Sequence, residues 1–497
     1  MTPFSSPSGA AALRLSALVL AVSLSGCASV GPDFNPVPVA APADWTSWHG
    51  GKASLLDVSY GSASAPGIPG AASVFADPVL RDLIAQAMVA NADLQTAALH
   101  FAASRSQAAI AGAATGPQLG LNGAVTRQRQ SEHGAQTRQV DVINPSGSDS
   151  VRQALATPFA HYQAGFDASW ELDLWGRLAR QNEAANASVA ASAFLMESAR
   201  ISIASEVARA YVELRGVQAQ LQLLQAELYA ASELLALARA RADGGVGSDV
   251  EVRQHSVNVD ELRAGVPALD AQEAQALGRL TMLTGRRPGQ LQALLQTASP
   301  AVALPPLELG LPSAIAARRP DIRAAQARLH AATASIGVAE ADLYPRITLG
   351  ARLGAESVDR GQLGDWGSRL WSVGPSLSLP LFDQGRRRAV VQLRTLEQQE
   401  AAVAFQHTVL RAWHEIDDGL SSYGAAQLRN KALADKRQAA LAAHALAEAG
   451  YRHGVSDAMP ALAAQRTLLQ VQRDQARSHT ATAVALIALV KASGMAP

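Results

Sequence analysis

Two proline-free stretches constrain the fold of this chain more than any other feature. No proline interrupts the sequence from Gly176 to Asp243 or from Gly385 to Tyr451. Each stretch holds roughly 67 residues and would form a helix about 100 Å long at the usual rise of ~1.5 Å per residue. Only 5% of the residues are aromatic although 48% are hydrophobic, so much of the apolar content is alanine, the strongest helix former. The chain is therefore predicted to be built on two very long helices.

The apolar residues of the first stretch repeat every seven positions, the pattern of a coiled-coil seam. They form two series, Val207, Leu214, Leu221, Leu228 and Leu235, and Ala210, Val217, Leu224, Ala231 and Ala238. After a glycine-rich turn, Ser248 and Glu251 form a capping-box pattern that starts a returning helix. Its expected seam residues are Val252, Val259, Leu262, Val266 and Leu269, and Pro267 predicts a local kink. The stretch is predicted to fold into an antiparallel helical hairpin.

The two halves of the chain repeat the same order of motifs, which indicates an internal duplication. Asn91–Leu94 aligns with Arg319–Ile322, and the same offset of 228 positions relates Pro117 to Pro345. Later motifs keep this order: Val207–Leu214 with Val409–Ile416, and Gly245–Asp249 with Gly454–Asp457. The last pair aligns with one extra residue in the first turn, so the two hairpin tips are expected to differ in geometry. Each half is predicted to contain a helix, two strands and a long helical hairpin.

The first helix of each half is expected over Pro78 to Ala114 and over Arg319 to Leu343, and a proline ends each one. Four segments after these helices alternate apolar and small or polar residues with the period of a strand. The residues expected on these strands are Leu119, Leu121, Phe166, Trp170, Leu349, Val373, Leu377 and Leu379.

Strands with one apolar and one polar face suit a transmembrane β-barrel, in which lipid meets one face and water the other. A soluble sheet with one buried side has the same pattern. Four strands are too few to enclose a solute channel, so a barrel would require several chains to share it.

The N-terminus has the pattern of a secretory signal. Arg14 precedes the apolar run Leu15–Leu24, which is too short to span a membrane. The run ends in Leu-Ser-Gly-Cys27, which resembles the lipobox at which bacterial lipoproteins are lipidated. An ordinary buried cysteine after a signal sequence is the alternative. Ala28 and Ser29 lack the aspartate that retains such lipoproteins at the inner membrane, which points to the outer membrane.

Several classes of function are excluded or disfavoured by composition and motifs. Lys+Arg and Asp+Glu both number 42, so no basic face for nucleic acid is indicated. Beyond the N-terminus no apolar stretch reaches the ~18 residues of a transmembrane helix. No nucleophile elbow, phosphate-binding loop or zinc-binding motif occurs, and the histidines, including His407 and His414, are not arranged as metal ligands. We expect no enzyme activity, no metal and no cofactor apart from a covalent lipid such as palmitate on Cys27.

Several motifs resemble the outer-membrane efflux lipoproteins, the NodT-type relatives of TolC and OprM. They are the lipobox with Val30–Pro36, Trp170–Arg177, Arg318–Ile322, Leu379–Arg386, Tyr451–Asp457 and Ala464–Leu468. The resemblance implies a homotrimer with a twelve-stranded β-barrel and a periplasmic α-barrel, each chain giving four strands and two hairpins. It also implies a lipid-anchored place in the outer membrane, and a periplasmic adaptor and an inner-membrane pump as partners.

These features together define five segments and a fold that is mainly α with a membrane β part. The segments are a signal peptide (1–26), a lipidated extended segment (27–74), repeat 1 (75–284), a proline-rich equatorial linker (285–312) and repeat 2 (313–497). The expected function is passive export of drugs or other small toxic compounds, with specificity residing in the pump. A type I secretion exit duct and a non-channel coiled-coil lipoprotein are the alternatives.

The resemblance places the hairpin tips at the periplasmic mouth, where carboxylates occur. In a trimer, an inward-facing Asp243, Asp249 or Asp457 becomes a ring of three charges. Such a ring could select cations, or hold the mouth shut through Arg241 or Arg452. Helix capping is an alternative role for Asp249 and Asp457. Opening is expected to break contacts from Tyr451 to Asp457, so Asp243, Asp249, Tyr451, Arg452 and Asp457 are the candidate gate residues.

Overall fold

The computed structural model describes residues 29–39, 41–42, 44–56, 75–134, 148–296, 304 and 312–495. The signal peptide, Cys27 and half of the proline-rich linker lie outside these residues. The helices are α1 (Pro78–Ala90), α2 (Ala92–Ala113), α3 (Ser148–Leu155), α4 (Arg177–Asp243), α5 (Asp249–Leu283), α6 (Gln292–Leu295), α7 (Pro312–Arg318), α8 (Pro320–Ala341), α9 (Arg386–Arg452) and α10 (Ala458–Ala492). The strands are β1 (Gln118–Gln128), β2 (Phe159–Leu172), β3 (Arg346–Ser357) and β4 (Arg369–Ser378).

The two proline-free stretches are single helices of 67 residues each, α4 and α9, as predicted. Each is followed by a returning helix of 35 residues, α5 or α10. None of the described helices carries an apolar stretch of the length needed to cross a bilayer.

The chain forms two compact units, and each takes residues from both halves of the sequence. One contains the described residues of 1–35, 105–188 and 329–400, which include the whole sheet. The other contains those of 36–104, 189–328 and 401–497, which include both hairpin tips. Because each unit draws on both halves, a duplicated half is not by itself a compact unit.

The four strands form one antiparallel sheet in the order β1-β2-β3-β4. Its register places Leu121 opposite Phe166, Phe166 opposite Leu353, and Leu353 opposite Trp371, so apolar side chains share one face. The opposite face carries polar groups, among them Asn122, Asp167 and Arg352, which contact one another.

The apolar face of the sheet is exposed in the isolated chain. Leu119, Leu121, Trp371 and Val373 are each at least 65% exposed, far more than apolar residues of a soluble core. Seven of the eight predicted strand residues lie on the strands. Leu379 does not: β4 ends at Ser378, because Pro380 restricts the residue before it and has no N–H to donate.

The first helix of the first half is broken at Asn91, which the sequence interpretation missed, whereas α8 agrees with the helix predicted over Arg319 to Leu343. Asn91 separates α1 from α2, and its side-chain oxygen accepts hydrogen bonds from the backbone N–H groups of Asp93 and Leu94. Its amide also donates to the carbonyl of Leu283 at 3.0 Å. Arg319 occupies the equivalent break between α7 and α8. Its buried guanidinium contacts Asp321, Glu415 and the carbonyl of Ala492.

The main core belongs to the unit that contains the tips. Its fully buried members include Leu80 and Leu83 of α1, Tyr211 and Leu214 of α4, and Leu489 of α10. The Tyr211 hydroxyl donates to Asp77 at 2.7 Å, while Asp77 also caps α1. Burial, with this hydrogen bond, raises the pKa of Tyr211 to about 12. Leu291 and Leu295, at the start of the predicted linker, are fully buried in this core.

The first hairpin has the predicted seam. Val217, Leu221, Leu224, Ala231 and Leu235 of α4 form one cluster with Val259, Leu262 and Leu269 of α5. Leu228, Val252 and Val266 pack against this cluster. The seven-residue repeat thus identified the residues that hold α4 to α5.

Residues 29–34 are fixed at one end by α4 and α8. The Val30 N–H donates to the carbonyl of Trp175, and the largely buried Arg180 pairs with Asp33 at 2.5 Å. The Phe34 ring stacks on His330 with centroids 4.4 Å apart.

Residues 44–56 pack against α9 in the other unit. His49 pairs with Asp417 at 2.5 Å, and the Gly50 N–H donates to the same carboxylate. The closest approach is at Gly424, where an added Cβ would lie 2.0 Å from the carbonyl oxygen of Leu55.

The Gly424 contact generates a stability prediction. We expect Gly424→Ala to destabilise the protein by ~1–3 kcal/mol, because the methyl group overlaps the Leu55 backbone. Gly278→Ala is the matched control: it also adds a methyl group to a helix, but with no atom within 4 Å, and should stabilise by ~0.5–1 kcal/mol. Thermal unfolding followed by far-UV circular dichroism measures both. Equal stabilisation by the two substitutions would contradict the close packing of residues 44–56 on α9.

Candidate gating region at the helical hairpin tips

The two hairpin tips have the same backbone turn. In the first, the N–H groups of Val246 and Gly247 both donate to the carbonyl of Arg241. In the second, the N–H groups of Val455 and Ser456 both donate to the carbonyl of Gly450. Gly245 and Gly454 occupy the same left-handed conformation, with φ of +71° and +69°. The expected difference in tip geometry is therefore wrong, since the turns superimpose with Gly247 opposite Ser456 and Ser248 opposite Asp457.

Glycine occupies a different tight position in each turn. A Cβ on Gly247 would lie 2.9 Å from the backbone N of Ala242 and 3.1 Å from the Cβ of Arg241, so the first turn has glycine opposite the arginine. In the second turn glycine is at position 450, where an added Cβ would lie 3.1 Å from the Ser456 hydroxyl. The first turn has arginine at position 241 and glycine at 247, whereas the second has glycine at 450 and serine at 456. The backbone hydrogen bonds of the two turns are the same.

Helix capping was predicted as an alternative role for Asp249, but the preceding residue caps the helix. Ser248 caps α5, because its hydroxyl accepts a hydrogen bond from the Glu251 N–H at 3.3 Å, as the capping-box pattern predicted. Asp249 is the first residue of the helix and does not cap it. Asp457 does cap α10, by accepting from the Met459 N–H. The repeated Ser-Asp pair concealed this one-residue shift of the cap.

One ion pair joins the two tips. The Arg241 guanidinium of the first hairpin lies 2.5 Å from the Asp457 carboxylate of the second. Asp457 therefore uses one oxygen to cap α10 and the other to bind Arg241. The side chains are 33% and 56% exposed, so solvent screens the pair and its contribution is small, about 0.2–1 kcal/mol.

The other candidate gate residues are exposed and not part of this pair. Asp243 and Asp249 form no ion pair within the described part of the chain. Arg452 contacts Glu448, one turn earlier on α9, at 3.2 Å and not a tip carboxylate. Tyr451 is 51% exposed and lines a groove with residues of α4, α9 and α10.

Further from the tips, α4 and α10 make polar contacts that were not predicted from the sequence. Glu227 lies 3.3 Å from Arg473, and Gln220 accepts a hydrogen bond from Arg477 at 2.7 Å. The helices come closest where Gly216 faces Thr480. Their positions in the sequence could have indicated these contacts. Glu227 and Gln220 each immediately precede a seam leucine, and side chains at such positions of a coiled coil often contact a further helix.

Glu227 is the most perturbed carboxylate in this region. It is almost fully buried, and burial raises its pKa although Arg473, Arg466 and Arg477 act in the opposite direction. The cost of ionising it is thus only partly offset by its cationic neighbours.

An exposed apolar sheet face and paired long helical hairpins in one chain define a class, the outer-membrane channel proteins with helical periplasmic parts. Comparison with known proteins agrees with this class. The model of the outer membrane efflux protein family matches residues 83–286 and 311–495. The chain is 32% identical to outer membrane protein OprJ of Pseudomonas aeruginosa, covering 97% of this chain and 96% of the relative. It is 30% identical to the toluene efflux pump outer membrane protein TtgF of Pseudomonas putida, covering 92% and 91%.

Solved structures give the same result. The outer-membrane channel OprN matches with a TM-score of 0.81 and 29% identity, over 94% of this chain and 99% of that one. The open state of the MtrE outer membrane channel of Neisseria gonorrhoeae matches with a TM-score of 0.77 and 27% identity, over 94% and 98%. The chain belongs to the outer membrane efflux protein family. It is an efflux channel of the outer membrane that extends into the periplasm.

The raised pKa of Glu227 generates a pH prediction. Between its ordinary pKa of 4.5 and the raised value, the native state binds more protons than the unfolded state, so stability falls as pH rises through this window. We expect Glu227→Gln to remove this component and to flatten the profile. The measurement is the unfolding midpoint from about pH 4 to about pH 8. Glu233→Gln, at an exposed site on the same helix, is the control and should keep the wild-type profile; an unchanged profile for Glu227→Gln would contradict the assignment.

Proposed function

We propose that three copies of this chain form a passive duct that carries small molecules from an inner-membrane pump across the periplasm and outer membrane. The single observation that carries the proposal is the four-stranded sheet, whose apolar face is exposed and whose outer strands β1 and β4 each pair on one side only among the described strands. An unpaired strand edge cannot be left in lipid. Three such sheets joined edge to edge would satisfy every edge and give a twelve-stranded barrel.

An exposed stripe on α9 supports association of the chains. Leu396, Val403 and Leu410 recur every seven residues and are each more than half exposed. A seven-residue apolar repeat facing solvent is the surface that a neighbouring helix covers in a coiled coil. In the proposed trimer this stripe faces the next chain.

The partners and cargo follow from family membership. Relatives are outer membrane components named for efflux of toluene and antibiotics and for export of pyoverdine. This diversity supports a duct that discriminates little, with specificity set by the pump. We further propose a periplasmic adaptor, a lipid anchor on Cys27, no catalytic activity and no cofactor.

The Arg241–Asp457 pair is the proposed latch of the periplasmic mouth. It joins the first hairpin of a chain to the second at their tips, and breaking it frees the tips to separate. Each pair contributes little, but three act together in a trimer. At about 0.2–1 kcal/mol each, they would shift the closed-to-open ratio by about threefold to about a hundredfold.

The latch is tested by separating the two roles of Asp457. We expect Asp457→Ser to raise single-channel conductance or open probability in planar bilayers, because serine keeps the cap of α10, as Ser248 does for α5, but cannot pair with Arg241. Arg241→Ala should have the same effect, and the double variant should add little to either. Asp249→Asn removes a tip charge outside the pair and should behave as wild type. A wild-type conductance for both Asp457→Ser and Arg241→Ala would refute the latch while leaving the duct intact.

The stripe is tested by placing a charge on it. Val403→Glu would bury a carboxylate between chains and should reduce the trimer fraction of detergent-solubilised protein, measured by native mass spectrometry. Gln406→Glu adds the same charge one turn further along the same face of α9, where the side chain is already polar, and should reduce the trimer fraction less than Val403→Glu. Trimers of normal abundance with Val403→Glu would show that α9 does not face a second chain.

A further inference from the structure

Three tryptophans line a cavity whose residues are distant in sequence from both hairpin tips. Pro42, residues 44–50 and α9 enclose about 330 Å³ between Trp45, Trp48 and Trp413, with Leu410 and Leu420 completing the apolar wall. The Trp48 and Trp413 rings meet edge to face, at 89° with centroids 5.7 Å apart. Trp48 is 53% exposed, so the cavity opens to solvent in the isolated chain. Three of the seven tryptophans of the chain thus surround one small volume.

A carboxylate lies in the wall of this apolar cavity. Asp417 lines it and retains 27% of its side-chain exposure. Its oxygens accept hydrogen bonds from His49 and from the Gly50 N–H, which fix its position. The His49 side chain is only 3% exposed and does not line the cavity, whereas His414 does, and Asp417 is the one acidic group among the lining residues.

The aromatic rings and the carboxylate together favour one chemical class of ligand. Tryptophan faces attract cations, most strongly those whose charge is spread over methyl or aryl groups and is cheap to desolvate. The apolar wall favours a hydrophobic body, and the carboxylate disfavours an anion. An anionic or strongly hydrated molecule would lose solvation in this cavity without compensation.

We propose that this cavity binds an organic cation with an apolar or aromatic body, such as a quaternary ammonium compound. The bound cation contacts Trp48 and Trp413 and neutralises Asp417. Because the cavity walls come from Pro42, Trp45, Trp48 and Gly50 as well as from α9, the cation also strengthens the packing of this segment on the helix. The site shares Leu410 with the exposed stripe on α9 and shares no residue with the Arg241–Asp457 pair, so the proposal does not rest on the latch.

The test uses benzyltrimethylammonium as the probe and the full-length protein in a non-ionic detergent. Binding is followed by quenching of tryptophan fluorescence and by calorimetric titration. The cation should bind about tenfold more tightly than neutral benzyl alcohol, and benzenesulfonate should bind more weakly still. Glycerophosphocholine is titrated in parallel, and tighter binding of this compound would identify a lipid headgroup as the source of the same chemistry. Equal affinity for the cation and benzyl alcohol would overturn the proposal.

Two variants separate the aromatic from the electrostatic contribution. Trp48→Ala should weaken cation binding about tenfold, and Trp48→Phe should restore part of it. Asp417→Asn keeps an acceptor for His49 and should weaken binding of the cation while leaving benzyl alcohol unchanged. Trp366→Phe alters an exposed tryptophan outside the cavity and should leave both affinities as in wild type. Wild-type affinity in both Trp48→Ala and Asp417→Asn would place the binding elsewhere.

Discussion

Backbone hydrogen bonding in a medium without water is the constraint on which the rest of this structure depends. A sheet of four strands exposes an apolar face and carries two outer edges, and neither edge can remain unpaired in lipid. The chain by itself therefore leaves two strand edges unpaired. In the proposed duct, association with other copies would pair these edges, and the exposed stripe on α9 would add a helical contact between chains.

The contacts around the tips differ in strength according to their chemistry. Within the first hairpin, α4 and α5 are held by a continuous apolar seam. Between the hairpins, α4 meets α10 through Glu227, Gln220 and the Arg241–Asp457 pair, which are polar, and the pair at the tips is exposed. Burial of leucine and valine costs far more to reverse than exposed ion pairing. A hairpin is thus expected to move as one body while the contacts between hairpins change.

Periodicity predicted what depends on repeated patterns: the two long helices, the seam of α4 and α5, and the four strands. Local exceptions were missed. The helix break at Asn91 depends on one side chain that caps α2 and binds Leu283, and the shifted cap at Ser248 was hidden by a repeated Ser-Asp pair. Contacts between elements far apart in sequence, such as Glu227 with Arg473, have no periodic signature. Arg241 was correctly named as a possible partner at the mouth, whereas Arg452 binds its own helix.

The exchange of residues between the two turns has a consequence for symmetry. Arg241 corresponds to Gly450, and Asp457 corresponds to Ser248, so the reverse pair between a second and a first hairpin has neither charge. In a ring of three chains, six similar hairpins would meet at six junctions. Only the three junctions within a chain would carry the Arg241–Asp457 ion pair, and the three between chains would not. The duplication supplies a nearly sixfold shape, and a few substitutions reduce it to threefold. While the Arg241–Asp457 pairs hold, such a ring could loosen only at the three junctions between chains; once the pairs break, the two hairpins of each chain could also separate.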